Sequence, residues 1–386
     1  MFTPNLRFFP MLLLTVVLCA APANAQPAPS ATPAPSAAPT PTPEYSLDGT
    51  FSLFPVHTSG VNAAGALDTP TGIDEVSRTD LSNGLLTLTK NTGWFRFGIT
   101  TGTYAFPVVG QALNPTTQAG ANTSLYGYVP QAYVAFVPNE HVTVSAGQLA
   151  TLLGQESGFT YQNVNIQRGL VWAAESTFSR GVRVTYTQGK FTGDLEYNDG
   201  FYTGSHRAVE GLLGWAPSAN TNVQFAFIAP GANTPGNATT SIANKTEYDF
   251  MLTQQVGKLQ LLPYVLLVDS PASAALGYPR AESATGAAFL ANYAFNGQFS
   301  VAARYEWFVN HSGIADASPN ADFLGYGAGS RASSISITPA YRANLFFARA
   351  EFSAVRAIDA KPGLAFGVAG VLSTQTRILV ETGVQF

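Results

Sequence analysis

The chain has 386 residues, 46% of them hydrophobic and 11% charged, with a formal net charge of −4. An average soluble domain carries roughly 25% charged residues, and disordered or nucleic-acid-binding chains depend on still more charge, so the composition excludes both classes. Beyond the first 25 residues no apolar run approaches the ~20 residues of a membrane helix; apolar residues alternate instead with small polar ones, as a membrane-spanning β-barrel requires.

Arg7 supplies a short basic region, Met11 to Ala21 an apolar stretch, and Ala23-Asn24-Ala25 an A-x-A site. Residues 1–25 therefore read as a cleaved secretory signal peptide, with Gln26 as the expected mature start. A membrane anchor fits less well, because the run is short and ends in small residues. A lipobox at Cys19 would need a small residue where Leu18 stands. Cleavage removes Arg7 and the single cysteine, leaving 18 cations against 23 carboxylates, a formal charge of −5 and no disulfide. Stability then has to come from backbone pairing, which a closed barrel supplies on both sides of every strand. With four scattered histidines and no cysteine, neither a metal site nor a cofactor is expected.

Residues 26–44 hold seven prolines between Pro27 and Pro43 and read as an extended periplasmic tether. From residue 45 the alternation predicts strands at 46–56, 82–90, 93–104, 127–137, 140–150, 178–188, 190–198 and 207–216. It predicts eight more at 221–229, 245–256, 258–268, 284–295, 298–308, 331–341, 344–354 and 375–386. Short turns fall at Asn91-Thr92, Pro138-Asn139, Gly189-Lys190, Pro217 to Asn220, Gly257-Lys258, Asn296-Gly297 and Arg342-Ala343-Asn344, and long breaks fall between them. The fold class is thus all-β: a transmembrane antiparallel barrel of about sixteen strands over 45–386, with short periplasmic turns and long outer loops.

The faces separate. Phe299, Val301, Ala303, Tyr305 and Trp307 are expected to meet lipid, and Ser300, Ala302, Arg304 and Glu306 water. In the last strand Ile378, Val380, Thr382, Val384 and Phe386 oppose Arg377, Glu381 and Gln385, with Leu379 an exception. Pro263 predicts a bulge or a one-residue slip. Gly98 and Gly102 are expected to make room inside the barrel. Trp94, Tyr305, Trp307 and Tyr341 suit interfacial aromatic belts, although the predicted face of Trp94 is inward.

The closing run Ile378 to Phe386, with alternate hydrophobic residues and a terminal aromatic, resembles the C-terminal signal of bacterial outer-membrane proteins. That resemblance implies that the barrel-assembly machinery reads Phe386. The wider chain resembles the OmpL-like β-barrel porin-2 group through Ala146-Gly147-Gln148-Leu149-Ala150 to Gly154 and the stretch Asn165 to Tyr186 with its Arg-Gly pairs. Arg304 to Phe308 and Arg349 to Phe352 carry it further along the chain. The resemblance implies a passive outer-membrane porin for small hydrophilic solutes, inserted in outer-membrane lipid, with a homotrimer as candidate assembly and no nucleic-acid partner. A substrate-specific barrel transporter and a non-conducting adhesion or structural barrel are the alternatives.

No catalytic set emerges. His57, His206 and His311 fall in predicted outer loops and His141 beside a turn; His206 with Asp199 or Ser205 is the best candidate for a rim enzyme, but nothing there activates a nucleophile. A sixteen-strand barrel leaves an aqueous lumen, so what narrows it decides what passes. Residues 151–177 form the third long loop and contain Glu156, Arg168 and Glu175, the candidate constriction. Their neighbours Phe159, Tyr161, Leu170, Val171 and Trp172 favour folding against the inner wall; a loop across the mouth is the alternative. With Arg168 facing the channel, Arg168→Ala is expected to raise cation preference. The candidate wall adds the cations Arg96, Arg183, Arg304, Arg349 and Arg377 and the carboxylates Asp194, Glu196, Asp249, Glu306, Glu351 and Glu381. These either set a transverse field or pair as a structural network, with Arg304–Glu306 and Arg349–Glu351 as same-face pairs.

Overall fold

The computed structural model describes residues 43–62, 76–113, 116, 125–231 and 244–386. Residues 1–25, expected to be a signal peptide, and all but the last two residues of the expected tether 26–44 lie outside these residues. Sixteen strands form: β1 (Tyr45–Ser59), β2 (Ser77–Lys90), β3 (Phe95–Tyr104), β4 (Gln131–Phe136), β5 (Val142–Ala150), β6 (Phe178–Gln188), β7 (Phe191–Asn198) and β8 (Ala208–Ser218). They continue as β9 (Thr221–Ala229), β10 (Thr246–Val256), β11 (Leu259–Ser270), β12 (Glu282–Ala294), β13 (Phe299–Asn310), β14 (Arg331–Ala343), β15 (Phe346–Ile358) and β16 (Thr374–Gln385). Each pairs antiparallel with its neighbours in sequence, and β16 pairs β1 to close the barrel. Closure satisfies every ladder on both sides, which is what allows strands to lie in lipid.

Every predicted strand is present, with shifted ends. β1 runs on to Ser59, so His57 is a strand residue, bonded to Ser77, and not part of a loop. β4 is shorter than predicted. Pro263 causes neither bulge nor slip: it faces Phe289 of β12 in an unbroken ladder. On the β10 side the pairs Met251–Tyr264 and Gln254–Leu261 keep one register across a local gap. The missing proline N–H costs a local interruption there, not a shift. The actual register shifts lie at Ser52/Leu53 against β2 and between Trp215 and Ser218 against β9.

The outward face is apolar, including Phe51, Leu195, Leu213, Phe250, Phe289, Tyr305 and Ile335. At the closing seam Phe386 exchanges backbone hydrogen bonds with Gly49 (2.9 and 3.0 Å), and its ring lies where a Cβ on Gly49 would stand. Gly98 does the same inside the barrel, leaving room for the Tyr133 ring opposite it. Trp94 precedes β3 and sits 6.0 Å from both Phe95 and Phe136, exposed like Phe136, so it joins the outer aromatics rather than the lumen.

The inward face divides by height. Near the long loops the inward residues are buried: Phe308 and Asn310 of β13, Ala332 and Ser334 of β14, Val355 and Ala357 of β15. Near the short turns they are half-exposed or exposed, as at Thr187, Asp194, Gln224, Ser300, Ala340 and Arg342. The loop-side core joins inward Leu212, Ile228, Met251, Leu262, Leu266 and Phe308 from the wall to Val109, Leu170, Val171, Phe201, Phe323, Tyr326 and Phe366 from loops. The expectation that Arg304, Glu306 and Ala302 meet water is therefore corrected: all three are buried, because loops fill the lumen beside them.

Candidate functional site

The segment between β5 and β6, residues 151–177, lies inside the barrel. Its apolar residues drive it there: Leu170 and Val171 enter the loop-side core, and Phe159 stacks among Tyr104, Phe106 and Phe178. Val171 packs so closely on β12 that a Cβ on Gly286 would lie only 3.0 Å from its side chain. Leu379, the apolar exception in the last strand, buries against Ile166 of this segment, together with Phe54 and Val56.

An irregular chain inside a barrel carries backbone groups that no ladder satisfies, and burial makes each unpaired group costly. Wall carboxylates meet that need. Glu210 of β8 accepts from the Leu152 N–H (2.5 Å), Asp249 of β10 from Gly154 (2.7 Å) and Glu306 of β13 from Val171 (3.1 Å). Glu351 of β15 accepts from Ile166 (2.5 Å) and Gln167 (3.2 Å), and Glu381 of β16 from the Thr160 hydroxyl (2.7 Å). Wall arginines take carbonyls too: Arg304 donates to Gln167 (2.6 Å) and Arg349 to Asn163 (2.7 Å) of the segment, Arg377 to Val108 (2.8 Å) and Arg183 to Ala150 at the end of β5 (2.6 Å). Hydrogen bonds to ionised groups are the strong ones. The wall charges thus act as clamps on the inner segment.

They also pair with one another. Arg183 binds Glu196 at 2.5 Å, and Arg304 binds Glu156 at 2.6 Å and Glu306 at 3.2 Å. Arg349 pairs with Glu381 across the β15–β16 ladder, not with Glu351 two residues on; Glu351 is committed to the loop amides. Asp194 accepts from Thr185 at 2.5 Å. Arg96 stands apart near the turns, with its Nε on the Gly93 carbonyl at 3.2 Å.

The three candidate constriction residues turn into the loop–wall interface. Glu156 serves Arg304 and the Gly169 N–H. Arg168 has no exposed surface. Its guanidinium donates to the Ser157, Gly158 and Ile166 carbonyls and lies 5.4 and 5.7 Å from the Phe106 and Trp172 rings. It folds its own loop and does not look into a channel. Glu175 lies over Gly154 with neither carboxylate oxygen hydrogen-bonded among the described residues. Burial first, then Asp249 and Glu247, push its carboxyl well above the ordinary range. Sequence reasoning missed Glu210, which shares an inward face with Leu212 and was open to the same alternation. It also missed residues 105–113, where Val108 and Arg168 form a parallel bridge. That second inward segment has no periodicity to announce it.

At the rim, Asp199 is committed to Arg180 at 2.7 Å, and His206 accepts the Tyr197 hydroxyl through its backbone carbonyl. Among the described residues no group of three or more His, Cys, Asp or Glu could hold a metal ion.

The barrel superposes on solved outer-membrane proteins. An anion-selective porin from Comamonas acidovorans matches with a TM-score of 0.59 at 13% identity, covering 89% of this chain and 99% of that one. The outer-membrane channel DcaP of Acinetobacter baumannii gives 0.58 at 12%, covering 89% and 97%. OmpT of Vibrio cholerae, in its trimer form, gives 0.56 at 9%, covering 89% and 99%. At these identities the likeness establishes the fold. No curated protein matches the chain. The profile of the family described as "Putative beta-barrel porin-2, OmpL-like" matches residues 56–386, leaving out residues 1–55 and with them the start of β1. The chain therefore belongs to the OmpL-like β-barrel porin-2 family.

Proposed function

We propose that the protein is a passive outer-membrane porin for small hydrophilic solutes or ions, and that residues 151–177 set its aperture. One observation carries the reading: a loop of a sixteen-strand porin-family barrel is folded into the lumen and clamped to the wall by charges from β8, β10, β13, β15 and β16. Charge at a narrowing governs what passes. Because Arg168 is spent inside its loop, Arg168→Ala acts on loop folding before it acts on ion preference.

The remaining steps belong to the same reading. Residues 1–25 are removed on export, residues 26–44 tether the barrel on its periplasmic side, and Phe386 presents the last strand to the assembly machinery. A homotrimer in outer-membrane lipid fits the trimer form of the Vibrio cholerae relative. A concavity of about 900 Å³ on the outer face, lined by Phe191, Leu213, Trp215, Phe250 and Phe289, offers it an apolar surface.

Planar-bilayer reconstitution tests the function. A porin gives step currents that rise linearly with bulk salt, and deletion of residues 159–172 raises the step several-fold. The buried loop-side half favours a second reading, a non-conducting structural barrel. A folded protein that carries no current, with or without the deletion, selects it. A current that saturates with one solute selects a substrate-specific transporter.

A further inference from the structure

A cavity of about 320 Å³ opens at the turn end of the barrel. Its wall is the inward face of β12 to β15 and its roof is the tip of the inner loop, Tyr161 to Val164. The size lies at the small end of ligand pockets, roughly 300–1,000 Å³. Arg342 and Arg349 line it, and no carboxylate does.

The two arginines differ. Arg349 is paired with Glu381, and its terminal nitrogens also serve the Asn163 and Thr160 carbonyls at 2.7 and 3.1 Å. Its charge is balanced, and only its buried Nε is left without a hydrogen bond among the described residues. Arg342 is exposed and has no ion-pair partner among the described residues. Its guanidinium carbon lies 5.9 Å from the Phe347 ring, and that of Arg349 lies 5.8 Å from the same ring. Phe347 is itself buried and steadies both. Asn292 adds an amide and Tyr161 an aromatic face, while the Asn163 amide is spent on Ser157 and Phe159 of its own loop. The acids around this group are engaged or act elsewhere: Glu381 is taken by Arg349, Glu351 two residues along the same face of β15 is taken by the loop amides and Thr338, and Asp48 of β1 lies near Tyr161.

We infer that this cavity is a binding subsite for a small organic monoanion, a carboxylate carried on a compact ring or apolar body. Arg342 takes the carboxylate through paired N–H donors, the geometry in which a guanidinium exceeds an ammonium. The body rests against Tyr161 and the Asn292 wall. One uncompensated cation favours an anionic solute over its neutral isostere. The inference deepens the porin reading and rests on it only for how the solute arrives.

Calorimetric titration of benzoate into the refolded full barrel in neutral detergent tests it without requiring any current. Saturable 1:1 binding is expected, about tenfold weaker in Arg342→Gln and unchanged in Lys190→Gln, which removes the same charge at the β6–β7 turn. Benzamide, the neutral isostere, is expected not to bind. Absence of benzoate binding, equal binding of benzamide, or equal loss in both variants overturns the subsite. Binding in a barrel that carries no current sinks only the pore; current without binding sinks only the subsite.

Discussion

The two ends of the same barrel solve different problems. Toward the long loops the lumen is built like a soluble core, with Phe308, Leu266 and Ile228 from the wall against Val109, Val171 and Tyr326 from loops. Toward the short turns the same strands turn Ser300, Ala340 and Arg342 to open space. The strand pattern does not change between the ends; the loops do. A wide barrel cannot fill itself with side chains, so each dry layer exists because a loop was drawn in. The clamping wall charges mark the boundary, since there irregular backbone must find partners.

The largest expected break comes from the boundary itself. Removing one partner of a buried pair leaves the others uncompensated and costs ~3–5 kcal/mol. Arg304→Ala strands Glu156 and Glu306, so urea unfolding is expected to shift by that order, with new protease cleavage in residues 151–177. Asp194→Ala, on the wet side, is expected to stay within ~1 kcal/mol. Similar costs for the two would erase the distinction.

A second comparison uses neighbouring positions. Val301 points outward, and an arginine on the lipid face costs up to ~2–4 kcal/mol, most at the midplane and less near the interface where Val301 lies. Its inward neighbour Ser300 is half-exposed at the wet end and should accept arginine with little loss. Ala302, inward but buried, is no longer the tolerant site that a water-filled lumen predicted. Folding yield into liposomes ranks the three: Ser300→Arg best, both others impaired. Tolerance at Ala302 would place water where the dry half is drawn.

A smaller effect concerns pH. The Glu175 carboxyl is raised, so the folded chain holds its proton more tightly than the unfolded chain does. Its contribution is complete below the ordinary carboxylate range and is lost as pH rises through the raised value. Hydrogen exchange in residues 151–177 should therefore quicken on going from acid to alkaline pH beyond the intrinsic base catalysis of exchange. Glu175→Gln, which keeps the neutral form, should flatten that excess. An identical profile in the variant would remove Glu175 from the loop's control.

Much of this was legible in the sequence, for a physical reason. A two-residue period is local, so alternation located all sixteen strands and put Arg304, Glu351 and Glu381 on the inner face. What those charges touch is not local. Glu381 meets Thr160, 221 residues away, and Arg377 meets Val108, 269 away. No spacing rule encodes such contacts, so Arg349 was paired with Glu351 and Arg168 was turned toward a channel. The apolar run Leu170-Val171-Trp172 did carry the one long-range clue, because exposing it outside would have been costly.

The division of the lumen is most directly tested on one strand. Ala332 and Ala340 both lie on the inner face of β14, the first buried and the second half-exposed. The one cysteine of the chain, Cys19, lies in the segment read as the signal peptide, so single cysteines can be placed cleanly. In the folded barrel a small hydrophilic maleimide should label Ala340→Cys at least about tenfold faster than Ala332→Cys, a difference of ~1.4 kcal/mol or more in access. Equal rates would mean that water reaches both ends alike, and that loops do not pack against the outer half of the wall.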